Sequence, residues 1–463
     1  MIMPPHADAI RQILAQGPVS ARQLIEKTGF SQPTLSRAIV SLGDEVLRMG
    51  AARSIHYVLR DGHRTRLLGL DDIPVYRVDV AGRVAALGRL TPVRPEGFLM
   101  QRTDGEVQHS DGLPWWLADM RPQGYLGRAY VARYAAQFGL PARLTDWGDT
   151  HVLRALLTHG QDAVGNLLLG DAARDHFLHA PVPEPVVAVT ESEAGQTCMR
   201  LAQEAASGEL PGSSVGGEQP KFTAYAQTAD GPHHVLVKFT QAQGDPGLAN
   251  PVIERWRDLL LAEHHALQTL IAGGVQAAQS RVIDEASANQ RFLEVARFDR
   301  IGATGRRAVF SLASLEAEFV GDATAPWPVL TAKLAQMKLI TQEAAQTAAL
   351  LYAFGTLIGN TDMHHGNLSF TSEDGFPCDL APAYDMVPMR YAPSASGSLP
   401  SRLPAVRLHA SVEPAVWRQA LGLARDYLNR LQGETRFSMA FGACLADLAW
   451  HVDDGSAKIS RLG

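Results

Sequence analysis

Apolar positions return every three or four residues in three short stretches at the front of the chain. Ile10, Ile13 and Leu14 mark a helix over residues 7–16, which Gly17-Pro18 stops. Ser20 offers an N-cap to the second stretch, ARQLIEKTG. Ser31 opens the third, with Pro33 in its first turn and Leu35, Ile39 and Leu42 on its inner face. The pattern then changes. VLRMGAARSIHYVLR reads as two strands around a tight Gly-Ala turn. Two helices joined by a short turn at Gly29 and followed by a hairpin have the spacing of a winged helix-turn-helix. In that geometry Gln32, Thr34, Ser36 and Arg37 reach base edges or phosphates in a major groove, and Arg48 and Arg53 sit on the wing. A three-helix unit that docks on protein satisfies the same pattern.

From residue 61 to residue 179 strand-like runs (VYRVDV, AALGRL) mix with helical ones (RAYVARYAAQFG, HVLRALLTHG, DAVGNLLL), and no catalytic constellation stands out. PVPEPVVAVTESEAG reads as a linker into a helix, TCMRLAQEAASG. Next comes LPGSSVGGEQPKFTAY, residues 210–225, where small residues before a strand make a turn whose amides can face one anion. HHVLVKFT alternates like a strand and carries Lys238. Asn250-Pro251 is an N-cap and N1 pair for a long helix that holds Glu263 and ends at Gly273-Gly274. RFLEVARFDR, residues 291–300, is a further strand. Beyond it the chain turns mostly helical, and TQEAAQTAALLYAFGTLIG runs straight into NTDMHHGN.

Composition narrows the class. The 463 residues, 46% hydrophobic and 19% charged, exceed what one core holds and suggest three units of an ordinary folded protein. No run is apolar enough to cross a bilayer, and the first residues lack the pattern of a secretory signal, so a cytoplasmic protein without a membrane partner is expected. Three distant cysteines, Cys198, Cys378 and Cys444, point to buried thiols. A net charge of −6 rules out a chain that coats nucleic acid as a whole. The first 60 residues are the exception, with seven basic residues against four acids.

A turn of small residues, a strand lysine, a helix glutamate, an Asp-x-x-x-x-Asn loop and a later Asp are the parts that phosphoryl transfer from ATP requires: positioning and charge neutralisation. Asp362 and Asn367 have the kinase catalytic-loop spacing. Asp374-Gly375 lies between two short strands, which reads as a hairpin that returns Asp385 to the same place. An amide oxygen and a carboxylate suit magnesium, a hard cation.

Taken in order, SSVGGEQPK, LVKF, RFDR, GNTDMHHGN and APAYDM resemble the HipA family of serine/threonine kinases, the toxin half of bacterial toxin–antitoxin pairs, over about residues 75–430. The helix-turn-helix in front suggests the YjjJ-like subgroup. The resemblance implies an α+β fold: a two-lobed, kinase-like HipA body with a mostly helical C-terminal lobe, behind a winged helix-turn-helix. The expected divisions are residues 1–62, 63–185, 186–300 and 301–463. It implies that Asp362 is the catalytic acid/base and that Asn367 and Asp385 bind Mg2+. ATP would meet Val215, Gly216, Gly217, Glu218, Gln219, Lys221, Lys238, Glu263, Arg297, Phe298 and His364. Ser214 matches an autophosphorylation site. The implied partners are a protein acceptor, with aminoacyl-tRNA synthetases as the candidate class, DNA, and a separate antitoxin.

Two features depart from the family. Ala296 stands where an acid commonly precedes RFDR, and family toxins usually lack a DNA-reading domain of their own. Three rivals remain open. One is a metal hydrolase using Asp362, His364 and His365, although adjacent histidines point apart. Another is a magnesium-dependent nuclease built on Asp362 and Asp385, and the third is a DNA-binding regulator with a nucleotide-sensing body. On the kinase reading His364 braces the loop and His365 lies on the surface. Trp115, Trp116, Trp256, Trp417 and Trp450 read as core or interface anchors.

Overall fold

The computed structural model describes residues 5–50, 55–188, 190–206, 219–228, 230–243, 250–373, 375–394 and 396–462. Its first helices are Pro5–Leu14, Ala21–Thr28 and Gln32–Leu42. Ser20 caps the second in a reciprocal box with Gln23, and Ser31 caps the third. Gly29 closes the second helix at φ 69°, in the left-handed region that glycine enters without a Cβ clash. Strands Val46–Met49 and His56–Leu59 pair antiparallel, Met49 opposite His56, and Val19–Ser20 joins the other edge. Ile10, Leu14, Leu24, Leu35 and Leu42 form this unit's own core.

A five-stranded sheet follows, built from Ile73–Val78, Val84–Pro92, Phe98–Arg102, Val107–Ser110 and Leu167–Leu169. The helices Gly124–Tyr134 and Asp149–His159 match the periodicity, but the helical reading of DAVGNLLL does not hold. Leu167–Leu169 pairs with Val75–Arg77 as a strand, because three apolar residues in a row satisfy a buried strand as well as a helix.

The next sheet, Lys221–Thr228, Gly231–Phe239, Ser280–Glu285 and Gln290–Ala296, carries the lysine. Alternation divides its side chains between two helices. Val235, Val237 and Phe292 face the helix Glu191–Ala206, whereas Leu293 and Val295 face Pro251–Ala272. The supposed linker ahead of the first of these helices is not free. Val187 is buried and bridges Ala226 in parallel, adding a further edge to this sheet.

The C-terminal part is mainly helical, with Trp327–Gln336, Gln342–Leu357, Pro414–Gly433 and Gly442–Ile459 around the largest core of the chain. Trp417 is an anchor there, but Trp450 is 52% exposed and lies outside the core. The three cysteines are buried and unbridged. Among the described residues no helix is long and apolar enough to cross a membrane.

Candidate active site

Lys238 lies one residue before the end of its strand, opposite Lys221 on the neighbouring strand and on the face that looks toward the long helix. Asn250 starts that helix by accepting from Val252 N at 2.9 Å, and three turns on Glu263 meets Lys238 Nζ at 2.7 and 2.9 Å. The same ammonium binds the carboxylate of Asp385. One cation thus joins strand, helix and the segment behind the hairpin. Burial opposes the charge on Lys238, but Asp385 and Glu263 outweigh it and the ammonium's pKa is raised. The two acids part in direction. Burial holds Glu263 above the usual carboxylate range, whereas Lys238 and Lys221 overcome burial and hold Asp385 below it.

The hairpin appears as the sequence predicts: Ser369–Ser372 pairs with Asp379–Leu380, Phe370 opposite Leu380. Asp374 lies outside the described residues, and Gly375 turns at φ 102°. Asp385 has φ 53°, a left-handed conformation that non-glycine residues seldom adopt. Its carbonyl accepts from Asn360 Nδ2 at 3.3 Å, and Asn360 Oδ1 accepts from Asp362 N at 3.0 Å. A buried amide therefore ties the two acids' backbones together. Sequence reasoning misses Asn360, although Asn two residues before a turn position is the pattern of a side chain that bonds its own loop.

Asp362 itself is exposed. Asn367 Nδ2 donates to the carbonyl of Asp362 at 2.8 Å, which leaves the amide oxygen of Asn367 for another partner. The loop is braced from outside: Trp327 Nε1 donates to His364 O at 3.2 Å, and His365 Nε2 bonds Ala325 O at 2.9 Å. This corrects one expectation: His365, expected on the surface, is half-buried and anchors the loop from outside, while His364, although exposed, braces the loop from within through its Nδ1, which accepts from Gly366 N. Gly355 is needed beneath, because a Cβ there would lie 2.5 Å from Met363 Sδ. Behind the loop Tyr384 donates to Gly366 O at 2.8 Å, and burial raises its pKa.

Phe298 lies 5.5 Å from the Tyr384 ring, at the edge of this site. Arg297 does not reach into it. Its guanidinium is held by Asp299 at 3.0 and 2.9 Å and by Asp162 of the preceding unit at 3.0 Å. With Arg300 it overcomes burial and keeps Asp299 down at about 2. This part of RFDR is a joint between units. Gln219 donates to Phe239 O, and Lys221 is half-buried on the site's side of the sheet. Ser214, Val215, Gly216, Gly217, Glu218 and Arg53 lie outside the described residues. On the third helix Gln32, Ser36 and Arg37 are exposed, and Thr34 bonds the hydroxyl of Ser31 at 2.9 Å.

Among the described residues no three His, Cys, Asp or Glu side chains gather as a metal cage. That argues against the three-ligand hydrolase. A carboxylate and an amide oxygen remain as oxygen donors, the number magnesium takes from protein when phosphates and waters supply the rest. The donor set therefore fits Mg2+ arriving with a nucleotide.

Residues 70–178 match the family described as YjjJ-like toxin, middle domain, and residues 213–436 match the HipA-like C-terminal domain. Toxin YjjJ of Escherichia coli (strain K12) is 38% identical over 458 residues, 98% of this chain and 99% of that one. A chain from the complex of HipA, HipB and operator DNA of Shewanella oneidensis MR-1 superposes with a TM-score of 0.55 at 15% identity, over 84% of this chain and 97% of that one. The fold is therefore HipA-like, with mixed helix and sheet. The Helicobacter pylori proinflammatory kinase CtkA covers 55% of this chain and 96% of its own at 13% identity and a TM-score of 0.37.

Proposed function

Because this chain belongs to the HipA-like toxins, of the YjjJ-like kind, we propose that it is an ATP-dependent serine/threonine protein kinase with a DNA-binding domain fused in front. The observation that carries the reading is the buried Lys238, held by Glu263 and Asp385 beside a loop that exposes Asp362. A lysine kept charged by two acids from separate elements, beside an exposed acid, is the arrangement that phosphate binding needs. Lys238, with Lys221 opposite it, attracts the phosphates of ATP, and Glu263 keeps the ammonium aimed. Asp362 accepts a hydrogen bond from the acceptor hydroxyl and takes its proton as the oxygen attacks the γ-phosphorus and the bond from that phosphorus to the bridging oxygen of the leaving ADP breaks. Asn367 and Asp385 would hold Mg2+, which neutralises phosphate charge when bound. Asn360 fixes the distance between the two acidic residues' backbones.

The divisions at residues 62, 185 and 300 give the reading its parts. Residues 1–62 are a winged helix-turn-helix that presents Gln32, Thr34, Ser36, Arg37 and Arg53 to DNA. The Shewanella relative is found with HipB and operator DNA; a fused reader would let this chain meet its operator directly, with or without a separate antitoxin. Residues 215–222 serve as the nucleotide loop, and Ser214, just before it, is the autophosphorylation site. A phosphoserine of about −1.5 to −2 charge repels ATP from the loop and switches the enzyme off. The acceptor is a protein hydroxyl, with aminoacyl-tRNA synthetases as the candidate class.

The test is transfer of labelled γ-phosphate from ATP with magnesium, for the parent and for Asp362→Ala, scored on the protein itself and on a cell extract. Label that requires Asp362 supports the kinase. ATP binding without any transfer, in unphosphorylated protein, favours a nucleotide-sensing DNA regulator. Cleavage of DNA that depends on Asp362 and Asp385 favours the nuclease.

A further inference from the structure

The segment that follows Asp385 differs from the rest of the chain in charge. Residues 386–412 contain Arg390, Arg402, Arg407 and His409 and not one Asp or Glu, in a protein of net charge −6. All three arginines are exposed. Among the described residues their guanidinium groups meet no carboxylate, unlike those of Arg22, Arg83 and Arg143.

This run is not a loose coil. Arg255, itself buried, donates to Tyr391 O at 2.9 Å and to Pro400 O at 2.8 Å. Asp447 accepts from Leu403 N and Asp454 from Val406 N, so two acids of the helix Gly442–Ile459 are occupied by backbone amides beneath the segment. Asp453, the remaining acid of that helix, is exposed, and the exposed Glu413 directly follows the segment. The segment is pinned by its backbone while its cations stay in solvent.

It also abuts the proposed catalytic loop. Arg390 N donates to Gly359 O at 3.2 Å, one residue before Asn360. Leu403, next to Arg402, packs so closely on Gly359 that a Cβ there would lie 2.5 Å from its Cδ2. Arg390 and Arg402 thus flank the residue that positions Asp362, and Arg407 continues the run away from it.

We propose that this cationic segment is the docking surface for the protein acceptor, and that it selects a serine or threonine flanked by acidic residues. The inference rests on the kinase reading. Exposed arginines on a pinned backbone attract carboxylates, and the segment's contact with Gly359, at the root of the loop that carries Asp362, sets them to read the side chains next to the acceptor hydroxyl.

The experiment uses the full chain with synthetic peptides that carry one central serine between acidic, neutral or basic flanks, and follows kcat and KM at low and high salt. The acidic peptide is expected to have a kcat/KM about tenfold above the neutral one at low salt, an advantage that salt screens. In the double variant Arg402→Ala, Arg407→Ala the advantage disappears through KM, with kcat and self-labelling unchanged. Transfer that ignores flanking charge, or that prefers basic flanks, overturns the docking surface and leaves the kinase standing. No transfer to any acceptor, self included, removes both. Inhibition by duplex DNA that depends on these arginines, with none by an acidic peptide lacking serine, assigns the surface to nucleic acid and overturns the proposal.

Discussion

Lys238 and Asp362 belong to one proposed site and are built in opposite ways. Lys238 is buried and charged, and two acids from different elements hold it. Asp362 is exposed, and its hydrogen bonds in the structure run through its backbone N and O. The difference separates two tasks. A group that orients the nucleotide's phosphates gains from being fixed and dry, where each Coulomb contact is stronger. A group that receives a different hydroxyl at each turnover must stay open to solvent. Fold stability should therefore depend on the first and hardly at all on the second.

Lys238→Met tests the first half and should have the largest effect. It leaves Glu263 buried and Asp385 half-buried without their cation, and removing one partner of a buried pair costs about 3–5 kcal/mol. Phosphoryl transfer should vanish as well, and the urea midpoint should fall. A variant as stable as the parent would mean that the three charges are not one structural unit. Asp362→Ala is the converse. Transfer should fall about 10²–10⁴-fold, while the unfolding free energy from urea titration stays within about 0.5 kcal/mol, since the alanine keeps both backbone bonds. If unfolding shifts as far as it does for Lys238→Met, the contrast is wrong.

Side-chain type and spacing made the first half of this contrast legible in sequence. Lys238, Glu263, Asp362, Asn367 and Asp385 were singled out as a set, and the structure brings the lysine to Glu263 and Asp385. The capping residues Ser20, Ser31 and Asn250 also start the helices that their chemistry predicts. What stayed hidden depends on partners far along the chain. Arg297 is bound by Asp162, 135 residues away, so no local pattern reveals that it serves a joint between units. Val187 looked like linker because its strand partner, Ala226, lies in a different element. His365 turns inward instead of lying on the surface because its ring finds the carbonyl of Ala325, 40 residues earlier.

Asn360 stands between the two regimes, a buried amide that links the open loop to the fixed segment. Asn360→Ala removes the acceptor of Asp362 N and the donor to Asp385 O, which should cost about 1–3 kcal/mol. Misplacing the catalytic carboxylate should lower transfer about ten- to a hundredfold. Comparing kcat with nucleotide affinity sharpens the test. The loss should fall on kcat, because Lys238 and Glu263 keep their contacts, and a loss confined to nucleotide affinity would place Asn360 with the lysine instead.

The smallest expected effect concerns the helix that presents Glu263. The next residue, His264, turns to the other strand and bonds Ser280 Oγ at 2.9 Å. Burial, with the neighbouring His265 and Arg436, pushes its pKa down to about 4. A histidine whose folded pKa lies below its unfolded value of about 6.5 stabilises the fold above that value and loses the contribution as pH falls toward 4. The parent should therefore lose roughly 2 kcal/mol between pH 7.5 and pH 5 from this residue. His265 is depressed by burial too, although Glu434 opposes it, so His264→Gln should remove part of the pH dependence and not all of it. Urea unfolding of both proteins at the two pH values reads the difference. Equal slopes would show that the helix yields to protonation of His264 without cost, and that the rigidity around Lys238 ends at Glu263.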